Sequence, residues 1–207
     1  MPTEFIVSAL VTLLVIVDPV GLVPIFLGVT ERLPPPARRQ VAIRSTLIAF
    51  FILCGAAFAG DWLLKHLGIG LPAFRIAGGL LLFSIASEMV FGVRIIRQAH
   101  EAEAAVEEQV RNIAAFPLAI PLMAGPGAIT ATILLAGRTY GDWMLLASLI
   151  AVIALVMASC IVAFMLSKRL RRLLGVTGNV VLERLLGVIL AALAVQFVVD
   201  GVRAIWS

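Results

Sequence analysis

The sequence predicts an all-α integral membrane protein of six transmembrane helices, arranged as two inverted three-helix repeats in which helices 1 and 4 are broken. Three observations carry that expectation. Apolar residues make up 62% of the chain and charged residues only 14%, against roughly 45–50% and 25% in ordinary globular domains. Aromatics are just 7%, so the apolarity is aliphatic, and a soluble chain of 207 residues has too little interior to hide it. Apolar runs of about 20 residues, long enough to cross a bilayer, recur along the chain, and its two halves echo each other. This composition excludes disorder, collagen, a disulfide scaffold and a cytosolic enzyme. The cysteines, Cys54 and Cys160, both lie within apolar runs and offer no disulfide framework.

The spans follow in order. Phe5 to Thr30 is apolar except for Asp18, Ser45 to Gly60 is uncharged, and Leu71 to Val93 contains Arg75 and Glu88. Asn112 to Gly137 and Trp143 to Ser167 carry no charge, and Val180 to Trp206 holds Glu183, Arg184 and Asp200 toward its ends. Helices are expected at about 4–29, 41–64, 71–93, 114–137, 142–166 and 181–205. They group as a first repeat, 1–93, a polar loop, 94–113, and a second repeat, 114–207, within one membrane domain. The N-terminus Met-Pro-Thr-Glu lacks the basic region of a removable signal peptide.

The net charge of +4 sits between the apolar runs, which points to the lipid bilayer as partner and not to nucleic acid. With the N-terminus outside, twelve Lys and Arg residues fall in inner loops and four outside (Lys65, Arg75, Arg138, Arg203). The positive-inside rule therefore favours N-out and C-out. In the polar loop, His100, Glu103 and Glu107 read as a solvated face with i,i+4 charge pairing and not as a metal site.

The repeat is explicit. Arg75-Ile-Ala-Gly78 and Gly92-Val-Arg94 answer to Arg184-Leu-Leu-Gly187 and Gly201-Val-Arg203, each 109 residues on, and Asp18-Pro19 answers to Gly125-Pro126 at 107. Three spans per half force the second half to enter the membrane from the opposite side. Inverted repeats with helix breakers at matching places are the mark of secondary transporters with a midplane site.

Asp18, Pro19, Gly21 and Pro24 break helix 1, and the run from Phe116 to Gly127 breaks helix 4 with three prolines. Asp18 suits an N-cap and Pro19 a first helical position, so half-helices are expected to begin at Pro19 and Pro126. Two half-helix N-termini at mid-membrane would offer N–H donors and positive dipole ends to a carboxylate. Asp18 would face an ammonium, a proton or Na⁺. The substrate-binding set is Asp18, Pro19, Gly21, Gly125, Pro126, Gly127 and Thr130, with Thr132 as a further hydroxyl. Asp18 and Glu88 are the candidates for H⁺ or Na⁺ coupling, since ionisable groups inside a membrane are site candidates by default. No other cofactor and no metal is implied. Gly78, Gly79 and the pair Gly55 and Ala59 are expected to permit close helix packing, and Arg75 and Arg184 to snorkel.

Three stretches, Asp18-Pro-Val-Gly-Leu-Val-Pro-Ile-Phe26, Arg75-Ile-Ala-Gly-Gly-Leu80 and Pro117-Leu-Ala-Ile-Pro-Leu-Met-Ala-Gly-Pro-Gly-Ala-Ile129, resemble the signatures of the MarC family. That resemblance implies a six-helix inner-membrane protein of a bacterium or archaeon. It also implies transport of small neutral amino acids such as glycine and alanine. The family pattern carries Asn or Asp at the position of Asp18, so a charge there is not obligatory. Two other readings compete: a non-transporting membrane scaffold, and an intramembrane thiol relay using Cys54 and Cys160. Enzymatic hydrolysis has no supporting motif, and a homo-oligomer is left open.

Overall fold

The computed structural model describes residues 2–30, 33–92, 114–139 and 141–206. They are helical almost throughout, with no strand among them. In chain order the elements are α1 (Pro2–Val17), α2 (Leu22–Val29), α3 (Pro35–His66), α4 (Leu71–Phe91), a wide π-helical segment (Ala114–Met123), α5 (Pro126–Gly137), α6 (Trp143–Met165) and α7 (Ser167–Trp206). Four helices are long and apolar enough to cross a membrane: α3, α4, α6 and the Thr177–Trp206 part of α7. The bent pair formed by α1 and α2 makes a fifth candidate. Large apolar side chains such as Phe51 (67% exposed) and Phe91 (75%) point outward, as lipid-facing residues do. The polar loop 94–113, with His100, Glu103 and Glu107, lies outside the described residues.

Several boundaries differ from the sequence expectation, each for a local reason. α3 starts at Pro35 and not near 41, because Pro34 is extended and the prolines after it occupy the first helical positions, where a missing N–H costs nothing. Its 32 residues span about 48 Å, so its first turns, with Arg38 and Arg39, project beyond the hydrocarbon. α7 starts at Ser167 and not near 181, with a single non-helical residue inside it, Gly175 (φ 60°, ψ −172°). The basic run after α6 is therefore helical up to a glycine hinge. Helix 4 begins as a π-helix: the Ala124 N–H donates five residues back, to Ala119 O at 2.9 Å. Wider turns re-satisfy backbone groups that the prolines of this stretch would leave unpaired.

Packing is closest where glycines let backbones meet. α4 and α7 run antiparallel along their lengths. A Cβ on Gly79 would lie 2.7 Å from Ala194 O, one on Gly187 2.8 Å from Met89 Cβ, and one on Gly201 2.8 Å from Pro72 O. Gly78 receives the Thr130 methyl from α5, and Gly60 on α3 receives Ile133. Gly55 and Ala59 do not serve this purpose: both are exposed, and nothing lies within 4 Å of a Cβ on Gly55. The helix neighbours match between halves, since α3 packs on α6, α4 on α7, α1 on α6, and α3 on α5.

One end of the bundle is aromatic. Trp62, Trp143 and Trp206 are all exposed at helix ends there. Leu71 packs against the site of a Gly137 Cβ, and Arg138 Nη2 donates to Asp200 Oδ2 at 2.8 Å on the same side. Exposed tryptophans at one level are typical of a membrane–water interface.

Candidate functional site

α1 ends where the chain turns sharply at Asp18. Its φ of 50° is left-handed, a conformation in which Asp and Asn are enriched over other non-glycine residues. The Asp18 N–H still donates to Leu14 O at 2.9 Å, closing α1. Its carboxylate then begins the next element: Oδ1 accepts the Gly21 N–H at 3.0 Å, and its carbonyl accepts the Leu22 N–H at 3.1 Å. α2 therefore starts at Leu22 and not at Pro19, because residues 19–21 form the turn that the carboxylate ties down. The α1 and α2 axes diverge by 43°. Asp18 is 4% exposed, a charge-bearing group inside the bundle. A Cβ on Gly21 would collide with the Asp18 carboxylate, so glycine serves here to admit the acid.

The second break matches in position and differs in chemistry. Gly125 is extended (φ −78°, ψ 175°), and α5 starts at Pro126 with no side-chain cap. At the first break the helix start is held by a carboxylate, while at the second it is not. Gly127 is buried, and a Cβ there would meet Ile85 on α4 at 2.5 Å and Ile16 on α1 at 3.6 Å. Ile16 precedes Asp18 by two residues, so the end of α1 lies against the start of α5. The two breaks are neighbours.

Not every expected residue joins them. Pro126 is exposed and points away from the interior. Thr132 donates its hydroxyl to Ala128 O at 2.7 Å within α5, so it has no proton left for a substrate. Thr130 is buried with its methyl against Gly78, and Pro19 is buried beside Asp18. Glu88 lies on α4 about 4.5 Å, one turn, beyond Ile85. Arg184 reaches toward the C-terminal end of α4, where its Nη2 lies 3.7 Å from a Cβ on Gly92.

One residue that the sequence did not single out belongs here, and one that it named only as a relay thiol. Thr12 is wholly buried in α1, four residues before Ile16 and on the same face, and its hydroxyl has no hydrogen-bond partner among the described residues. Thr30, Thr46 and Thr132, by contrast, bond back to their own backbone. The only signal in the sequence was a polar residue inside an apolar run. Cys160 on α6 is fully buried within electrostatic reach of Asp18. No group of three or more His, Cys, Asp or Glu able to hold a metal occurs among the described residues.

A bundle of long apolar helices with a discontinuous helix and a buried acid at its centre defines a multi-pass integral membrane protein. The sequence profile described as "MarC family integral membrane protein" matches residues 3–206. The chain belongs to the MarC family. It is similar to a UPF0056 membrane protein of Archaeoglobus fulgidus, 38% identical over 96% of this chain and 92% of that one. A UPF0056 membrane protein of Aquifex aeolicus is 39% identical over 95% and 92%. UPF0056 membrane protein YhcE of Escherichia coli is 36% identical over 94% and 90%. No solved structure matches the chain.

Proposed function

We propose that the protein is a secondary transporter of the bacterial or archaeal inner membrane that moves small neutral amino acids through a midplane site. The observation that carries this reading is the pairing of two helix breaks, at Asp18 and Gly125, packed against each other through Ile16 and Gly127. Packing alone has no use for a buried carboxylate at such a point. The chemistry of the two breaks differs in a way that suits a zwitterion. The α5 N-terminus, uncapped by any side chain, is the better receptor for the substrate carboxylate. Asp18 already holds the α2 start, and its carboxylate is the group we assign to the ammonium or to a coupling H⁺ or Na⁺. Glu88, one turn past Ile85, is the second coupling candidate. Thr12 adds a hydroxyl beneath the break.

In this reading the membrane domain has six spans, the Ala114–Met123 segment and α5 together forming the sixth. Residues 1–93 and 114–207 form inverted repeats, with both termini outside. The support is the matched sequence offsets, the matched helix neighbours, and the antiparallel glycine contacts Gly79 with Val198 and Gly187 with Met89. Exchanging the halves at an offset of 109 converts one contact into the other to within a residue. The substrate class rests on the family resemblance and on this polarity of the breaks.

The test is counterflow of labelled glycine and alanine into proteoliposomes of the purified protein, with and without proton and Na⁺ gradients. Saturable exchange of a small neutral amino acid, inhibited by its unlabelled form and absent from empty vesicles, is expected. A protein that inserts and folds but exchanges none of these would return the scaffold reading.

A further inference from the structure

Away from the helix breaks, a cavity of about 390 Å³ opens between the end of α2, the first turns of α3 and the junction of α6 with α7. Arg38, Arg39, Lys168 and Ser167 line its polar side, and no Asp or Glu among the described residues lines it. Phe26, Phe164 and Met165 form its apolar wall, with the two phenylalanine rings stacked at 4.4 Å and 11°. Arg38 is held in place by a bond from its Nε to Leu33 O at 2.9 Å. Ser167 is buried, while Arg39 and Lys168 are exposed. Both cationic edges mark a boundary in the sequence: Arg38 and Arg39, with Arg44 one to two turns on, precede the uncharged run of α3, and Lys168 immediately follows that of α6. The cavity therefore sits at headgroup depth.

We infer that this cavity binds the phosphate headgroup of an anionic phospholipid from the adjacent leaflet. Basic pockets between transmembrane helices at this depth are suited to such headgroups. The volume falls in the range of sites that enclose a small ligand. The prolines at the start of α3 remove N–H donors from that helix terminus, so the side chains must supply the recognition. The apolar wall decides between the two sources of a phosphate. A free anion gains nothing from Phe26, Phe164 and half-exposed Met165, whereas the glycerol and first methylenes of a lipid lie against them. This site is separate from the helix breaks and stands whether or not the protein transports amino acids.

The test uses the full chain in a neutral detergent, with binding read as the shift in thermal melting temperature on titration. Phosphatidylglycerol is expected to raise the melting temperature saturably, and phosphatidylcholine and inorganic phosphate to leave it unchanged. The double variant Arg39→Gln, Lys168→Gln should melt like the wild type without lipid and bind phosphatidylglycerol about thirtyfold more weakly, from two headgroup-level charges lost. Arg203→Gln, at the opposite end of the bundle, should bind it as the wild type does. Equal shifts with phosphatidylcholine, a matching shift with inorganic phosphate, or unimpaired binding by the double variant would each overturn the assignment. So would an equal loss in Arg203→Gln, which would mean general surface charge. Lipids carried through purification and seen by native mass spectrometry provide a second reading, with anionic lipid expected on the wild type and not on the double variant.

Discussion

Gly21 donates its N–H to Asp18 Oδ1 at 3.0 Å, and the space its missing side chain leaves is the space the carboxylate fills. The acid and the glycine are one device. The break in helix 1 exists because Asp18 tolerates a left-handed backbone, and it is held because Gly21 lets the carboxylate fold over the next helix start.

Gly21→Ala should therefore destabilise the protein by about 1–3 kcal/mol, the usual cost of forcing extra atoms into a packed site. The cost should fall sharply in an Asp18→Ala background, where the colliding carboxylate is gone. A double-mutant cycle from thermal or denaturant melts in detergent should give a coupling of about 0.5–3 kcal/mol, as expected for residues in direct contact. Additive effects would mean that the two residues do not act together.

Asp18→Asn keeps the acceptor oxygen and the tolerance for a φ of 50°, so it should insert and melt nearly as the wild type does. Glycine or alanine exchange should persist with altered dependence on pH or Na⁺, because only the charge has changed. Asp18→Ala loses the cap, at about 0.5–2 kcal/mol, and also suffers the left-handed backbone. Comparing exchange for all three across pH 5 to 8 in the same proteoliposomes separates a ligand role from an ion role. Identical behaviour would leave Asp18 as a kink residue alone.

Much of this was legible in the sequence, and the reasons are physical. Apolar length declares a candidate span, and the prolines with Asp18 and Gly125 declare where two helical stretches break, because those residues cannot continue a buried helix. Which breaker starts the next helix was less legible. Pro19 is a good first residue by propensity, but the carboxylate bond to Gly21 moved the start to Leu22. Side-chain direction was not legible at all. Thr130 and Thr132 look alike in the sequence, yet one packs its methyl on Gly78 and the other donates to its own helix. Gly55 and Gly60 are equally plausible packing glycines, and only Gly60 faces a neighbour.

That contrast is itself testable. Gly79→Val and Gly187→Val should each prevent the close approach of α4 and α7 and lower the yield of folded protein, since the added atoms would meet backbone that cannot move aside. Gly55→Ala, with open space around it, should melt within about 0.5 kcal/mol of the wild type or slightly above it. Size-exclusion profiles and melting in detergent give the comparison. Gly127→Val is a poor probe of the backbone at the second break, because its side chain would strike Ile85 as well.

Arg138 and Asp200 join the end of α5 to the end of α7. Gln196 Nε2 donates to the other Asp200 oxygen at 2.7 Å, and the Arg138 guanidinium lies 4.9 Å from the centre of the Phe197 ring. Both charged side chains keep roughly a quarter of their surface exposed (26% and 29%), so water weakens the pair. A cycle of Arg138→Gln and Asp200→Asn should give a coupling of about 1 kcal/mol, at the upper end for pairs open to solvent. Arg138→Lys should recover only part of it, because a lysine loses the flat stacking surface over Phe197. Full recovery by lysine would reduce the interaction to a simple point-charge attraction.

Orientation gives the last prediction. The cavity places Arg38, Arg39 and Lys168 at one end of the bundle, while Trp62, Trp143, Trp206 and the Arg138–Asp200 pair occupy the other. The two ends differ in kind: one is cationic, the other is aromatic and carries paired charges. The positive-inside rule assigns the cationic end to the cytoplasm. Single cysteines can be placed at Lys168 and at Trp206 in a Cys54→Ser, Cys160→Ala background. A membrane-impermeant maleimide added to intact cells should label the Trp206→Cys protein directly, and the Lys168→Cys protein only after permeabilisation. The two sites are expected to respond oppositely, because α7 runs from one end of the bundle to the other between them and is long and apolar enough to cross a membrane. Equal labelling of both from outside would show that α7 does not cross the membrane. Exchange of the two responses would keep the bundle and reverse its orientation, placing the basic cavity in the outer leaflet.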